Sequence, residues 1–201
     1  VLHIVPNAPD PAGRSGRLDA ALSVTAHGAP SQSVSGVFNQ PLGDDAAARA
    51  VVWSDRAGGY IDDAQRGRAD VDRTRRMGAR VSGLWRPTDR LSLDAVVIGQ
   101  TIDTRDAHYA QGADGTLTRR AAAAEPHDND YLAVAATARL DLDGARLTAT
   151  LAALDHDVSS TYDAGRAPLS LVVAGDRPAT FEDGNEIRQT LSEVRLASTG
   201  Q

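Results

Sequence analysis

The chain has 201 residues and a formal net charge of −6, and all 21 of its basic residues are arginine. An acidic chain with interspersed charges argues against a nucleic-acid partner, and zero cysteine excludes disulfide scaffolds and thiolate metal sites. Aromatic residues make up only 4% of the chain, so the supply of large side chains for a buried core is thin. No apolar run is long enough for a membrane-spanning helix.

Apolar and polar residues alternate along most of the chain, and this period of two predicts β-strands. In the segment 16–26, Leu18 and Leu22 fall on one side of an extended chain while Arg17 falls on the other. The same alternation recurs, and we expect further strands, in the segments 32–42, 46–55, 77–86, 91–100, 131–142, 146–151 and 186–198. The sequence therefore predicts an all-β, antiparallel fold of eight strands.

The predicted connections sort by length. The short turns "PLGDD", "RPTDR" and "DLDGA" alternate with the long polar stretches 58–75, 104–128 and 158–185, and only the short "HGAPS" breaks the pattern. Short turns at one end and long loops at the other are typical of an outer-membrane β-barrel. A soluble sandwich has no reason to sort its loops in this way. The apolar side of the strands is therefore expected to contact lipid.

The opposite face of these strands holds too many charges for a dry interior, where an unpaired charge costs several kcal/mol. We expect these residues to line a wet lumen, either as a ladder of cross-strand ion pairs or, in part, as ligand contacts. They are Arg49, Arg80, Asp94, Arg139, Asp141, Glu193 and Arg195.

Four phrases of the sequence resemble one family of proteins. They are "VLHIVPNAPDP" (1–11), "GVFNQPLGDDAAARAVVWSDRAGGYIDD" (36–63), "RVSGLWRPTDRLSLD" (80–94) and "RQTLSEVRLAST" (188–199). In this order they resemble the last plug strand, the second and third barrel strands, the fourth and fifth strands, and a later strand of TonB-dependent outer-membrane receptors.

The resemblance implies that residues 1–13 are the end of a plug domain with its linker, and that 14–201 are part of a transmembrane β-barrel. Barrels of this family have 22 strands, so about eight strands imply a piece of a longer receptor. The implied location is the bacterial outer membrane, and the implied partners are its lipid, TonB and an iron–siderophore complex or another scarce nutrient. No catalysis is expected.

Loop residues with flat or polar side chains are the candidate ligand contacts, since tyrosine offers contact area at low entropic cost. They are Tyr60, His108, Tyr109 and Tyr162; a structural role at the barrel rim is the alternative for Tyr60. The five histidines, His3 among them, are scattered without ligand spacing, so no metal site or cofactor is expected. No Gly-x-Ser-x-Gly elbow is present. The candidate interfacial aromatics are Phe38, Trp53, Trp85 and Tyr131.

Two other classes of protein stay open. One is a complete eight-stranded outer-membrane barrel with a structural or adhesive role, which needs a bulkier inward-facing set of side chains. The other is a secreted β-sandwich that binds a ligand, which needs buried aromatics and comparable loops at both ends.

Overall fold

The computed structural model describes residues 6–111, 115–165 and 178–199, and most of these lie in one antiparallel sheet. Its eight strands pair in chain order, each with the next. They are β1 (Ser15–Ser23), β2 (Ser31–Pro41), β3 (Ala46–Ala57), β5 (Thr74–Thr88), β6 (Leu91–Thr104), β8 (His127–Leu142), β9 (Ala145–Asp163) and β10 (Thr180–Ser198). The expected all-β, eight-stranded antiparallel arrangement is confirmed.

The connections of the sheet differ at its two ends. At one end, here called the turn end, residues 42–45, 89–90 and 143–144 make short turns, and Gly43 and Gly144 have φ values of 125° and 81°. Such positive values favour glycine. At the other end, the loop end, long segments join the strands and contain β4 (Asp62–Asp63) and β7 (Thr118–Arg119), which pair in parallel.

The register sorts the side chains onto two faces, because residues directly opposite each other on paired strands share a face. One cross-strand row consists of Asn39, Arg49, Ser82 and Val96. The face that holds this row is called the polar face. The other is called the apolar face, and its large exposed side chains are Leu18, Leu22, Val34, Phe38, Val52, Met77, Val81, Trp85, Val97, Leu132, Val134, Leu142, Leu151, Val194 and Leu196.

Exposure on the two faces is the reverse of that in a water-soluble sheet. Leu151 on the apolar face is 65% exposed and Val81 is 55% exposed, whereas Arg49 and Arg80 on the polar face are half-buried. A soluble antiparallel sheet packs its apolar face on a core and hydrates the other. Within the described residues, no second layer covers the apolar face.

Apart from Asn39 and Ala47, which lie beside the 42–45 turn, the most completely buried side chains lie at the loop end. Ile61, Val71 and Ala121 are buried there. Charged and polar residues are buried beside them, including Asp63, Asp72, Asp106, Arg119 and Glu125. The loops therefore form a small packed unit of their own.

The sheet is open, with β1 and β10 as its edges. All nine positions of β1 are exposed, as expected for an edge strand without a further neighbour. The described chain thus forms a wall and not a closed barrel, so the small closed barrel is not observed. No helix in the described ranges is long and apolar enough to cross a membrane.

Several strands are longer than the sequence pattern predicts. The prediction for β9 ends at residue 151, whereas the strand continues to Asp163. Beyond Ala153 the apolar face of β9 becomes polar, with Asp155, Asp157 and Ser159, while Leu154 and Val158 lie on the other face. The hydrophobic alternation is lost there, but backbone pairing continues. The two-residue strands β4 and β7 have no periodic pattern and were not predicted.

Candidate functional site

The seven charged residues predicted for one wall share the polar face, but they differ in their partners. Arg139 forms an ion pair with Asp94, and Arg146 Nε lies 2.5 Å from Asp141 Oδ1. Glu193 and Arg195 lie on the exposed edge strand β10. The remaining two, Arg49 and Arg80, make no ion pair or side-chain hydrogen bond with any residue described.

The segment 6–14 crosses the polar face at the turn end and is held there by Asn39. The Asn39 side chain is fully buried. Its Nδ2 donates hydrogen bonds of 2.8 Å and 2.7 Å to the carbonyl oxygens of Asp10 and Gly13, and its Oδ1 accepts one of 2.9 Å from the Asp10 amide. Residues 1–5 of the expected plug segment lie outside the described residues.

A network of ion pairs and hydrogen bonds joins the two long loops 58–73 and 105–126. It is called the loop cluster and consists of the buried or half-buried charges Asp63, Arg66, Asp106, Arg119 and Glu125 together with Tyr109, which is 46% exposed. Arg119 is its centre, with a fully buried side chain. Its Nη1 lies 2.5 Å from Asp106 Oδ1 and its Nη2 lies 2.5 Å from Glu125 Oε2. Its Nε is 3.9 Å from Asp63 Oδ2, beyond hydrogen-bond distance.

A second arginine completes this network. Arg66 pairs with Asp63 at 2.8 Å and also with Asp106. Burial by itself would raise the pKa of the Asp63 carboxyl, but hydrogen bonds from the backbone and guanidinium of Arg66 hold that pKa below its ordinary value. Three carboxylates therefore face two guanidinium groups, and each buried charge has an opposite charge beside it.

Two of the predicted ligand contacts belong to this network or border it. The Tyr109 hydroxyl donates a 2.6 Å hydrogen bond to Glu125 Oε2, and the Arg119 guanidinium lies 4.9 Å from the centre of the Tyr109 ring. Burial, together with this bond, raises the pKa of Tyr109 to about 12. His108 Nε2 lies 2.9 Å from Thr74 Oγ1 and 3.0 Å from the Asp72 carbonyl oxygen.

The other two predicted contacts lie apart from each other. Tyr60 is 39% exposed, and its backbone amide donates to Asp72 Oδ1 at 2.8 Å. Tyr162 stacks against Phe181 across β9 and β10, with ring centres 6.1 Å apart. Tyr60 and His108 thus share Asp72 as a hydrogen-bond partner, whereas Tyr109 and Tyr162 contact other residues.

The four candidate interfacial aromatics divide between the faces. Phe38 and Trp85 lie on the apolar face, whereas Trp53 and Tyr131 share the polar face. The expectation that all four lie together at the edge of an apolar band is therefore wrong for Trp53 and Tyr131. The reason is that successive residues of a strand lie on opposite faces, so the strand register alone decides which face each aromatic side chain occupies.

One group of carboxylates has the spacing of a possible metal site. Single oxygens of Asp155, Asp157 and Glu186 lie within 4.8 Å of one another at the loop end of the apolar face. Arg188 is ion-paired with both Asp155 and Glu186, so the cluster already has a counter-charge. His3 lies outside the described residues.

Apart from Tyr109, no member of the loop cluster is predicted from the sequence pattern. Its members sit in polar segments without periodicity, where charged residues are ordinarily solvated. The nearest hint was the paired acid of "GGYIDD" (58–63). Comparison with known proteins adds no identification, because no family model, curated protein or solved structure matches the chain.

Proposed function

We propose that this chain is part of the wall of a TonB-dependent outer-membrane receptor, which imports a scarce nutrient such as an iron–siderophore complex. In this proposal the apolar face contacts lipid and the polar face lines the lumen. The observation that supports it is the reversed exposure of the two faces, with leucine and valine exposed and arginine half-buried. Large exposed apolar surfaces mark interfaces with proteins or membranes.

The dimensions of the apolar face fit a bilayer. Along β8 every second residue from Leu132 to Leu142 is apolar, a stretch of eleven residues, and a tilted strand needs about 9–11 residues to cross the hydrocarbon region. Beyond this stretch the same face becomes acidic, with Asp130 on β8 and Asp157 opposite it on β9. The longest strands therefore extend past the proposed lipid zone at the loop end.

The sorted connections support the same orientation. Short turns at one end and long loops at the other are typical of outer-membrane barrels, whose loops lie outside the cell. The loop cluster would then face the exterior, and the segment 6–14 would lie in the lumen near the periplasm. The open edges of β1 and β10 are where further wall would pair.

The two tryptophans provide a direct test, because they lie on opposite faces. The variants Trp53→Phe and Trp85→Phe each leave one indole, and both are folded into vesicles that contain brominated phospholipid, which quenches fluorescence on contact. We expect strong quenching of Trp85 and weak quenching of Trp53. Equal quenching of the two would contradict the proposal, as would failure of the unaltered chain to bind vesicles.

A further inference from the structure

The indole of Trp53 occupies an unusual position on the polar face. A Cβ atom at Gly78, directly opposite on β5, would come within 2.3 Å of Trp53 Cζ2 and 2.7 Å of Cε2. The six-membered ring therefore lies in the space that a side chain at position 78 would fill. Trp53 is half-buried, so one side of the ring rests on the sheet and part of it stays open.

One arginine lies beside this ring, and a second lies beside the first. Arg80 follows Gly78 along the same face of β5 and lies directly opposite Val51. It is therefore diagonal to both Trp53 and Arg49 on β3. Diagonal neighbours on one face are within reach of long side chains, so the Arg80 guanidinium can approach the indole on one side and Arg49 on the other.

The two arginines lack counter-charges. Among the residues described, neither has an ion pair or a side-chain hydrogen bond, and both are half-buried. The nearby acids of the polar face are already engaged, since Asp55 pairs with Arg76 at 3.1 Å and Asp94 pairs with Arg139. Two partly desolvated like charges side by side are unfavourable, and a bound anion would relieve their repulsion.

The chemistry of this patch fits one class of ligand. A planar ring can stack on the exposed side of an indole, and the guanidinium fork matches the two oxygens of a carboxylate. Gln100, on the strand beyond Gly78 and directly opposite it, adds an amide at the rim.

We propose that Trp53, Arg80 and Arg49 form a binding site for an aromatic carboxylate, with its ring on the indole and its carboxylate between the guanidinium groups. This inference rests on the proposed function, because it takes the polar face to be the lumenal wall that the imported ligand passes. It specifies that the imported ligand carries a planar aromatic ring with a carboxylate.

The ligand requirement is tested on the unaltered chain folded in detergent, by equilibrium dialysis against labelled benzoate. Benzamide lacks the charge and cyclohexanecarboxylate lacks the flat ring, so both serve as competitors of matched size. We expect each to bind about tenfold more weakly than benzoate, which corresponds to one charged hydrogen bond or one stacking contact. Equal binding of benzoate and benzamide, or of benzoate and cyclohexanecarboxylate, would overturn the proposal.

The location is tested with single substitutions. Arg80→Gln and Arg49→Gln are expected to weaken benzoate binding about tenfold while leaving benzamide unchanged. Trp53→Leu should weaken both. Arg195→Gln removes an arginine of the same face on the distant strand β10 and is the matched control. An equal loss in this control would contradict the assigned site.

Failure of this inference is distinguishable from failure of the proposed function. Brominated lipid could quench Trp85 but not Trp53 while benzoate does not bind. That result would support the proposed receptor and reject the ligand class. Benzoate binding with equal quenching of both indoles would retain the ligand site and reject the membrane orientation.

Discussion

Arg119 and Glu125 form a buried ion pair, with Nη2 and Oε2 2.5 Å apart, in the loops of a chain whose sheet has no apolar core in its described part. The same carboxylate oxygen accepts a hydrogen bond from Tyr109. Charge pairing and hydrogen bonding therefore connect the two long loops, in addition to the burial of Ile61, Val71 and Ala121.

Arg119→Met should open the loop cluster. Removing one partner of a buried ion pair leaves uncompensated charge and costs about 3–5 kcal/mol. Here Glu125 would lose its guanidinium partner, and Asp106 would keep only Arg66. Native-state hydrogen exchange of the Ala64 and Glu125 amides, which are hydrogen-bonded within this unit, should accelerate accordingly.

The matched control for that change is Arg120→Met. Arg120 is the next residue along the chain and is exposed, so its loss should leave exchange of those amides nearly unchanged. If these amides exchange at the same rate in both variants, the buried ion pairs of Arg119 do not hold the loops together.

Unequal losses of stability are expected from the same substitution at two adjacent alanines. Ala136 lies on the apolar face and Ala135 on the polar face of β8. Arginine on a lipid-facing position near the midplane costs about 2–4 kcal/mol, so Ala136→Arg should lower the free energy of unfolding in vesicles by about that amount. Ala135→Arg should cost much less. Urea titration of vesicle-folded chains measures both, and a larger loss for Ala135→Arg would refute the assignment of faces.

Asn39→Ala should release the segment 6–14 from the polar face. The substitution removes three hydrogen bonds and leaves backbone groups of Asp10 and Gly13 without a partner, at a cost of about 1–3 kcal/mol. Hydrogen exchange at the Asp10 amide should therefore accelerate at least about tenfold. Gln40→Ala, on the other face of β2, is the control and should leave that amide protected.

At high pH, the stability of the loop cluster depends on the protonation of Tyr109. Its pKa in the folded chain, about 12, lies above its ordinary value. At a pH below the ordinary tyrosine pKa, the protonated phenol makes its full contribution to the free energy of unfolding. This contribution is lost as the pH rises through the pKa of Tyr109 in the folded chain. Ultraviolet titration should show one tyrosinate transition near pH 12 that disappears in Tyr109→Phe. Persistence of that transition in the variant would assign it to another residue.

The sequence by itself determined the strands and their faces. The alternation around Leu132, Val134 and Ala136 is sufficient, because a period of two leaves one choice of face once the chain is extended. The three short turns were predictable from glycine, proline and aspartate for the same local reason. Strand ends were not predictable where the apolar face becomes polar, as in β9 beyond Ala153.

Only the tertiary structure decided which charges are buried and which stay unpaired. Arg119 and Arg120 are adjacent and chemically identical, yet one is fully buried and the other exposed. Likewise Arg139 forms an ion pair with Asp94, whereas Arg80 lies diagonal to Arg49. These outcomes depend on contacts between residues distant in sequence, which no local pattern of polarity encodes.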